Sequence, residues 1–439
     1  MSNTKRPVLA VAVAVAVLGM LRPASASADP PAQVVVGQSS APVDVAAVQA
    51  AVSAGGRVVL VGTFDFGPAG RVLISKDVRI SGRDGAVVKG GFVTFLSPLP
   101  APPAGQPPGQ RPALPGPDIT IEHLTFDGAT SSPIRIAYAR SIEIRHNKIR
   151  NVVPIVNLTI PFPVSPYSVQ FGIVVTTQGQ FPPGIVPGAI TGRVRIHHNE
   201  LDMTSPDPAL TVCSGVQLMR GWGVDADISH NTVSNCARNG IEALDNVRDE
   251  SGAGRIRLSH NRVRSASVGS PWPVPSRPNG IVAGWFFFPA RAIDPASNPA
   301  YEVSENDIEV GGGPASGIFA NTNGAVIEEN EIAVSGPGAR GIVLSSANGL
   351  VKENRVAGGG QFGIQIAPFF PSVPTVVADG NTLLCNDLSG FDPNPPPPPS
   401  ADLQLAGSHN TVIGAWGSVL DTGAGNQLVS SGRCEDEKH

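Results

Sequence analysis

The stretch ISHNTV (Ile228–Val233) returns as LSHNRV (Leu258–Val263), and the chain also writes IRHNKI (144–149) and IHHNEL (196–201). A histidine beside an asparagine suggests catalysis or metal binding when read once. Read four times, it suggests a period. Aligned on the asparagine, the frame apolar-x-apolar-x-x-Asn-x-apolar recurs as IEIRHNKI (142–149), VRIHHNEL (194–201), ADISHNTV (226–233) and IRLSHNRV (256–263). It continues as YEVSENDI (301–308), AVIEENEI (325–332), GLVKENRV (349–356) and VVADGNTL (376–383). ITIEHLTF (119–126) fits with Leu124 in the asparagine slot. Asn306, Asn330 and Asn354 are spaced by 24 residues, and longer spacings elsewhere imply inserted loops.

A second frame interleaves with the first. Gly-Ile or Gly-Val opens a short apolar strand at Gly172, Gly215, Gly240, Gly280, Gly317, Gly341 and Gly363. Apolar positions alternate with period two, which is the pattern of strands with one buried face. Strand repeats this short cannot bury that face alone, so they stack on their neighbours as a solenoid. The composition agrees: 50 Gly and 43 Pro in 439 residues, with only 15% charged and 5% aromatic residues, favour many short strands and turns.

These repeats resemble those of the right-handed parallel β-helix proteins of the pectin lyase-like superfamily. The resemblance spans nearly all of the chain after its leader. It implies an all-β fold, a single right-handed parallel β-helix of roughly 24-residue coils over 57–432, with a tail at 433–439. An N-terminal cap is expected at 29–56, where Asp44 would N-cap an amphipathic helix ending at Gly55-Gly56. Pro-rich insertions at 97–118, near 151–171, at 183–189, 271–278 and 391–400 cannot join a ladder and are read as loops.

Lys5 and Arg6, the apolar run Val8–Leu21 and Ala26-Ser27-Ala28 read as a secretory signal peptide, 1–28. Its removal leaves 28 basic and 35 acidic residues, net −7. No other apolar run is long enough to span a bilayer. No basic stripe exists, so nucleic acid is not an expected partner. A secreted or periplasmic monomer is expected, in a compartment that permits disulfides. Four cysteines without CxxC spacing argue against zinc. Cys213 and Cys236 are about one coil apart, so they are expected to pair, leaving Cys385 with Cys434.

Stacked coils turn each slot into a column. Asn147, Asn199, Asn231, Asn261, Asn306, Asn330, Asn354 and Asn381 form a turn ladder, since asparagine tolerates left-handed geometry and bonds backbone locally. The preceding slot holds His146, His198, His230 and His260, then Glu305, Glu329 and Glu353. A histidine row can bind copper or zinc. The switch to glutamate favours a surface stack, and no metal site is expected. Glu143, Arg195, Asp227, Arg257 and Glu302 alternate in sign, as a register-setting ladder would. That ladder accounts for Asp227 without making Asp225 and Asp227 a glycosidase pair.

Chemistry is better sought on the Gly-Ile strands. Two residues after each glycine the column reads Val174, Gln217, Glu242, Val282, Phe319, Val343, Gln365, polar in the centre. Arg220, Asp245, Arg248, Trp222 and Trp285 lie close by in sequence, and loops at 151–171, 271–278 and 285–300 leave neighbouring coils. For a uronic-acid polymer, Arg220 or Arg248 would neutralise the substrate carboxylate. Glu242 or Asp245 would move a proton or hold Ca²⁺, the one cofactor the pattern admits. For a hydrolase, Glu242 and Asp245 would be the acid–base pair, with Gln217, Trp222 and Trp285 binding sugar. The expected partner is therefore an extracellular polysaccharide. The polygalacturonase, pectate lyase and mannuronan epimerase signatures (NTD/DD/HG/RIK, WIDH, DPH) are missing, which keeps a non-catalytic envelope or adhesion scaffold, or a NosD-like protein, as the rival. Asn157-Leu158-Thr159 is a glycosylation sequon if the host uses it.

Overall fold

The computed structural model describes residues 31–101, 112, 114–157, 167–177, 186–207, 211–266, 279–285, 297–368, 377–393, 399–414, 416–430 and 434. Residues 1–30, which hold the expected signal peptide, the Pro-rich segments 271–278 and 394–398, and sequon residues Leu158 and Thr159 lie outside them, whereas residues 391–393 of the expected loop 391–400 pair with residues 358–360 in the ladder.

Each coil contributes three short strands. In one coil these are Asp225–Ser229, Thr232–Ser234 and Asn239–Leu244. Each pairs in parallel with its counterpart in the next coil: Asp225–Ser229 with Arg255–Ser259, Thr232–Ser234 with Arg262–Arg264, and Asn239–Leu244 with Asn279–Gly284. Repetition of this pairing builds three stacks of parallel strands, called the first, second and third sheets in chain order. The long strands Gly56–Asp65 and Val78–Lys89 join the first two into one 23-stranded sheet, the third lies in a separate sheet, and the fold is a parallel β-helix. Period-two alternation sends one side chain in and the next out. Ile228, Val233, Ile241, Ile256, Leu258 and Val263 therefore sit fully buried in one core that runs from Val48 to Val412.

The recurring glycine of the third sheet has a steric cause. A Cβ on Gly215, Gly240, Gly280, Gly317 or Gly341 would lie 2.3–2.4 Å from the inward side chain of the second sheet, respectively Val233, Val263, Ile308, Ile332 and Val356. None of these glycines needs a positive φ. The strand bends there so that two sheets can converge, and only a hydrogen fits.

The asparagine ladder is made of paired bonds. Asn231 Oδ1 accepts both the backbone N–H (3.1 Å) and the side-chain amide (3.0 Å) of Asn199. Asn231 in turn donates both groups to Asn261 Oδ1, and its amide also reaches Ile196 O at 2.8 Å. The same pattern continues through Asn306, Asn330 and Asn354. Leu124 N donates to Asn147 Oδ1, which starts the ladder.

Three expectations are corrected here. Asn354 donates to Asn386, not Asn381. Val351 pairs with Leu383 across the sheet, so the last copy of the frame is TLLCNDL with Cys385 in the histidine slot. Asn381 belongs to a second ladder one corner earlier, running from Gly349 N through Asn381 and Asn410 to Asn426. Secondly, the left-handed residue is the one before each asparagine. His123, His146, His198, His230, His260, Glu305, Glu329, Glu353 and Cys385 all have φ between 53° and 57°. Such a conformation costs a non-glycine residue about 1–2 kcal/mol, and the ladder bonds on either side hold it. Thirdly, Ser40 holds the N-cap position of the helix Ala41–Ala54 (α1) without a side-chain capping bond, and Asp44 lies within its first turn. Buried Asp44 accepts from the backbone N–H groups of Gln38, Ser40 and Asp65 at 2.8–3.0 Å, tying the helix start to the first coil. α1 ends at Gly55 with φ 79°, and its Val48, Ala51 and Val52 join the core.

Cys213 is bonded to Cys236 and Cys385 to Cys434, with Cα separations of 5.6 and 5.3 Å. The register pairs Ser214 with Asn239, so Cys236 lies in the turn ahead of that strand and not directly opposite Cys213. The charge column stacks as Glu143–Arg195–Asp227–Arg257–Glu302. Among these rungs Arg257 reaches Glu302 at 3.6 Å, while Glu143 meets His197 of another column at 3.5 Å. Asp225 and Asp227 take ladder places between arginines, Asp225 beside Arg193 and Arg255 and Asp227 beside Arg195 and Arg257. One further outward group is deeply covered. Glu122, 3% exposed at its side chain, accepts from Arg79 at 2.7 Å and Arg145 at 2.7–2.8 Å. Burial pushes its pKa up, but the two guanidinium hydrogen bonds outweigh that and hold it below the ordinary carboxylate range.

Two outcomes follow. Asn231→Ala leaves two buried donors of Asn199 without an acceptor, which costs about 2–4 kcal/mol in denaturant unfolding. Because the folded-state pKa of Glu122 is depressed, its stabilisation is complete above the unfolded pKa of about 4.3 and is lost as pH falls through the folded value. Melting temperature followed from pH 6 downward in Glu122→Gln should lack that acid limb.

Candidate functional site

The central column of the third sheet aligns Val174, Gln217, Glu242, Val282, Phe319, Val343 and Gln365 in successive coils. These positions point away from the core, yet they are not a solvated face. Val282, Phe319 and Val343 form a second buried apolar cluster with Met219 and Leu244, separate from the core. Glu242 is 5% and Gln217 9% exposed.

Glu242 lies in a polar knot across neighbouring coils. Its Oε1 accepts from Ser214 Oγ at 2.6 Å and Asn239 Nδ2 at 2.5 Å, and its Oε2 from Gln217 Nε2 at 2.8 Å. Asn239 Oδ1 accepts from the backbone and amide of Asn279 at 3.1 and 2.9 Å. A buried carboxylate requires such donors, because desolvation without them is costly. Ser214, Asn239 and Asn279 were missed by the sequence reading. Their signal was the residue immediately before each repeat glycine, in Ser-Gly, Asn-Gly and Asn-Gly.

Arg220 and Asp245 form a different group. They occupy equivalent corner positions one coil apart, with φ of 62° and 52°, and both are fully buried. The backbone N–H of Arg220 donates to Leu244 O and that of Asp245 to Gly284 O. Burial lowers the Arg220 pKa, and the Asp245 carboxylate partly restores it. Asp245 is thus the electrostatic neighbour of Arg220, and both oxygens of Glu242 are already engaged. Beside this corner, Asn246 Oδ1 accepts from Gly221 N at 2.8 Å, and its amide donates to Tyr301 Oη at 3.3 Å. Burial pushes the Tyr301 phenol well above its ordinary range.

The tryptophans and Arg248 form a third group. Trp285 is 1% exposed and donates its indole N–H to Asn298 Oδ1 at 2.5 Å, so it is a packing residue and not an open stacking platform. Trp222 is half-buried, bridges to Val247 in the adjacent coil, and packs with Val247 and Trp285. Among the described residues its indole N–H is buried without a hydrogen-bond partner, and so is Nε–H of Arg248, the residue after Val247. Two unpaired buried donors on one corner are unusual, because such groups in folded proteins are normally satisfied. Of the expected loop walls at 151–171, 271–278 and 285–300, residues 158–166, 271–278 and 286–296 lie outside the described residues, while Ile155–Asn157 is not a loop but a strand paired antiparallel with the start of Tyr167–Thr176.

Among the described residues, no group of three or more His, Cys, Asp or Glu is arranged to hold a metal ion. No helix among them is long and apolar enough to cross a membrane.

No protein-family model and no curated protein sequence matches the chain. Among solved structures it is similar to the A-module of the Azotobacter vinelandii mannuronan C-5 epimerase AlgE6, at 15% identity over 88% of this chain and 95% of that one, TM-score 0.40. It is also similar to PfbA, a surface adhesin of Streptococcus pneumoniae, at 13% identity over 86% and 87%, TM-score 0.34. A variant of the periplasmic alginate epimerase AlgG aligns at 12% identity over 86% and 78%, TM-score 0.28.

The Glu242 knot predicts a stability split. Glu242→Ala leaves three donors unanswered and lowers unfolding free energy by about 2–4 kcal/mol. Glu242→Gln keeps an acceptor and loses less, as read by denaturant titration.

Proposed function

We propose that this chain is a secreted protein that binds an acidic extracellular polysaccharide at the corner where the third sheet turns back to the first. The observation that carries the reading is the pair of buried, unanswered donors, Trp222 Nε1–H and Arg248 Nε–H. Uronic-acid polymers are rich in acceptors. Their hydroxyl and carboxylate oxygens would complete both donors when the groups that cover them move aside on binding, and a guanidinium is suited to a carboxylate. The part-exposed Trp222 ring offers an apolar face beside them. The two disulfides suit an oxidising compartment outside the cytosol.

In this reading Glu242 and Gln217 shape the sheet beneath the corner, and the Arg220–Asp245 pair supports it from within. Processing of the bound polymer by cleavage or epimerisation is a second reading. It draws on the buried carboxylate of Asp245 beside Arg220, and it would admit Ca²⁺ as cofactor.

Calorimetry against pectate, alginate and glycosaminoglycans, each with and without Ca²⁺, tests both readings. Binding to one acidic polymer is expected. Arg248→Ala and Trp222→Phe should each weaken it about tenfold or more, since each loses a desolvated hydrogen bond. No binding to any acidic polymer would overturn the proposal. Unsaturated ends or inverted uronates after incubation, lost in Asp245→Asn, would add catalysis. Their absence would leave binding alone.

A further inference from the structure

The corner between the first and second sheets differs from the others. From His123 to Asn386 it is two residues long in every copy, because the asparagine ladder bonds each rung to the next. No insertion interrupts it, so its side chains form one row, exposed from His123 to Glu329 and part-buried at Glu353, which meets Lys352 at 3.1 Å. The row changes chemistry midway. His123, His146, His198, His230 and His260 stack with ring centroids 4.7–5.0 Å apart. Glu305, Glu329 and Glu353 continue the column. His260 Nε2 meets Glu305 Oε2 at 2.9 Å where the halves join.

We infer that this corner is the interface of an acid-induced antiparallel homodimer, with its two-fold axis between the His260 and Glu305 coils. A two-fold axis perpendicular to the solenoid makes each column face itself in reverse. In the corner row, His260 then faces the partner copy's residue 305, His230 faces residue 329, and His198 faces residue 353. All three contacts are imidazole against carboxylate. The next column independently supports the same axis. Its stacking order is Lys148, Glu200, Thr232, Arg262, Asp307, Glu331, Arg355, Asp387. Reversed about that axis, Arg262 faces Asp307, Glu200 faces Arg355, and Lys148 faces Asp387. Every charged pair there is opposite in sign, and Thr232 takes Glu331 without a clash of charge.

Other charged groups border the histidine row. On the first sheet these are Glu143, Arg145, Arg195, His197, Asp227 and Arg257, and on the second Lys148, Glu200 and Arg262. Reversal sets Arg257 against Glu302, again opposite. One contact is unfavourable, His197 against Lys352. Burial holds the His197 pKa below its ordinary range, and the Glu143 contact only partly offsets this, so His197 charges late. Burial and neighbouring imidazoles likewise lower His146 and His230. His230, which faces residue 329, therefore charges below the ordinary histidine pKa of about 6.5. Surface pairs of this kind are screened, so the dimer must also be salt-sensitive.

Sedimentation velocity on the mature chain tests this. A monomer is expected at about pH 7.5, a dimer at about pH 5 in low salt, and a return to monomer in about 0.5 M salt. Two triple variants probe the axis: His198→Glu/His230→Glu/His260→Glu and Glu305→His/Glu329→His/Glu353→His. Both residue types already occupy this slot at positive φ, so the backbone is kept. Each variant alone should stay monomeric at about pH 5, and their mixture should dimerise. Should either fail to fold, Glu329→Gln/Glu353→Gln is to weaken wild-type association by about tenfold or more. A monomer at acid pH in low salt overturns the inference, as does a dimer that these variants leave unchanged.

Discussion

The bond between one asparagine and the asparagine of the next coil carries the register of this molecule. Each carboxamide oxygen answers a backbone N–H and a side-chain N–H, and each amide also reaches a backbone carbonyl such as Ile196 O. A buried rung therefore has no free polar atom and no freedom to slip. A slip by one residue would also turn Ile228 and Leu258 outward, since the pleat repeats every two residues. The ladder keeps the corner at two residues and forces the preceding residue into a left-handed conformation. His230 and Glu329 share that conformation although their chemistry is opposite. The slot selects for backbone geometry and exposure, and charge is left open to vary.

The chain lengthens elsewhere. Insertions separate the second sheet from the third and the third from the first, while the asparagine corner stays short. This gives the solenoid two unlike sides. One is a straight row of imidazoles and carboxylates. The other carries the Glu242 knot, the buried Arg220–Asp245 corner and the unanswered donors of Trp222 and Arg248. The glycine of the third sheet links these sides. Its hydrogen admits Val263 or Ile308 from the second sheet, so the strand behind it can bend and present Asn239 and Glu242 outward together.

Much of the fold was legible in single residues. Asn147 through Asn354, the glycines and the inward Ile and Val positions announced a coil, because each coil solves the same packing problem in the same order. Asn381 was misread for a local reason. Asn381 and Asn386 lie five residues apart, each joins a ladder, and spacing alone does not say which. Asp44 was misplaced because an acid near a helix start suits either a cap or a turn that receives backbone from another strand. The Cys213–Cys236 pair was legible from coil length, although the offset of Cys236, two residues ahead of the position opposite Cys213, was not.

What the sequence determined by itself was the period, the inward residues and the side of the strand on which Glu242, Gln217 and Trp285 lie. Alternation is a property of the chain and can be counted. Tertiary structure alone decided that Glu242 is covered and held by three donors, that Trp285 is packed against Asn298, and that Trp222 and Arg248 keep donors unpaired. Those outcomes depend on which residues from other coils arrive over a given side chain. Solvent access and hydrogen-bond satisfaction are sums over such neighbours, and no repeat pattern contains them.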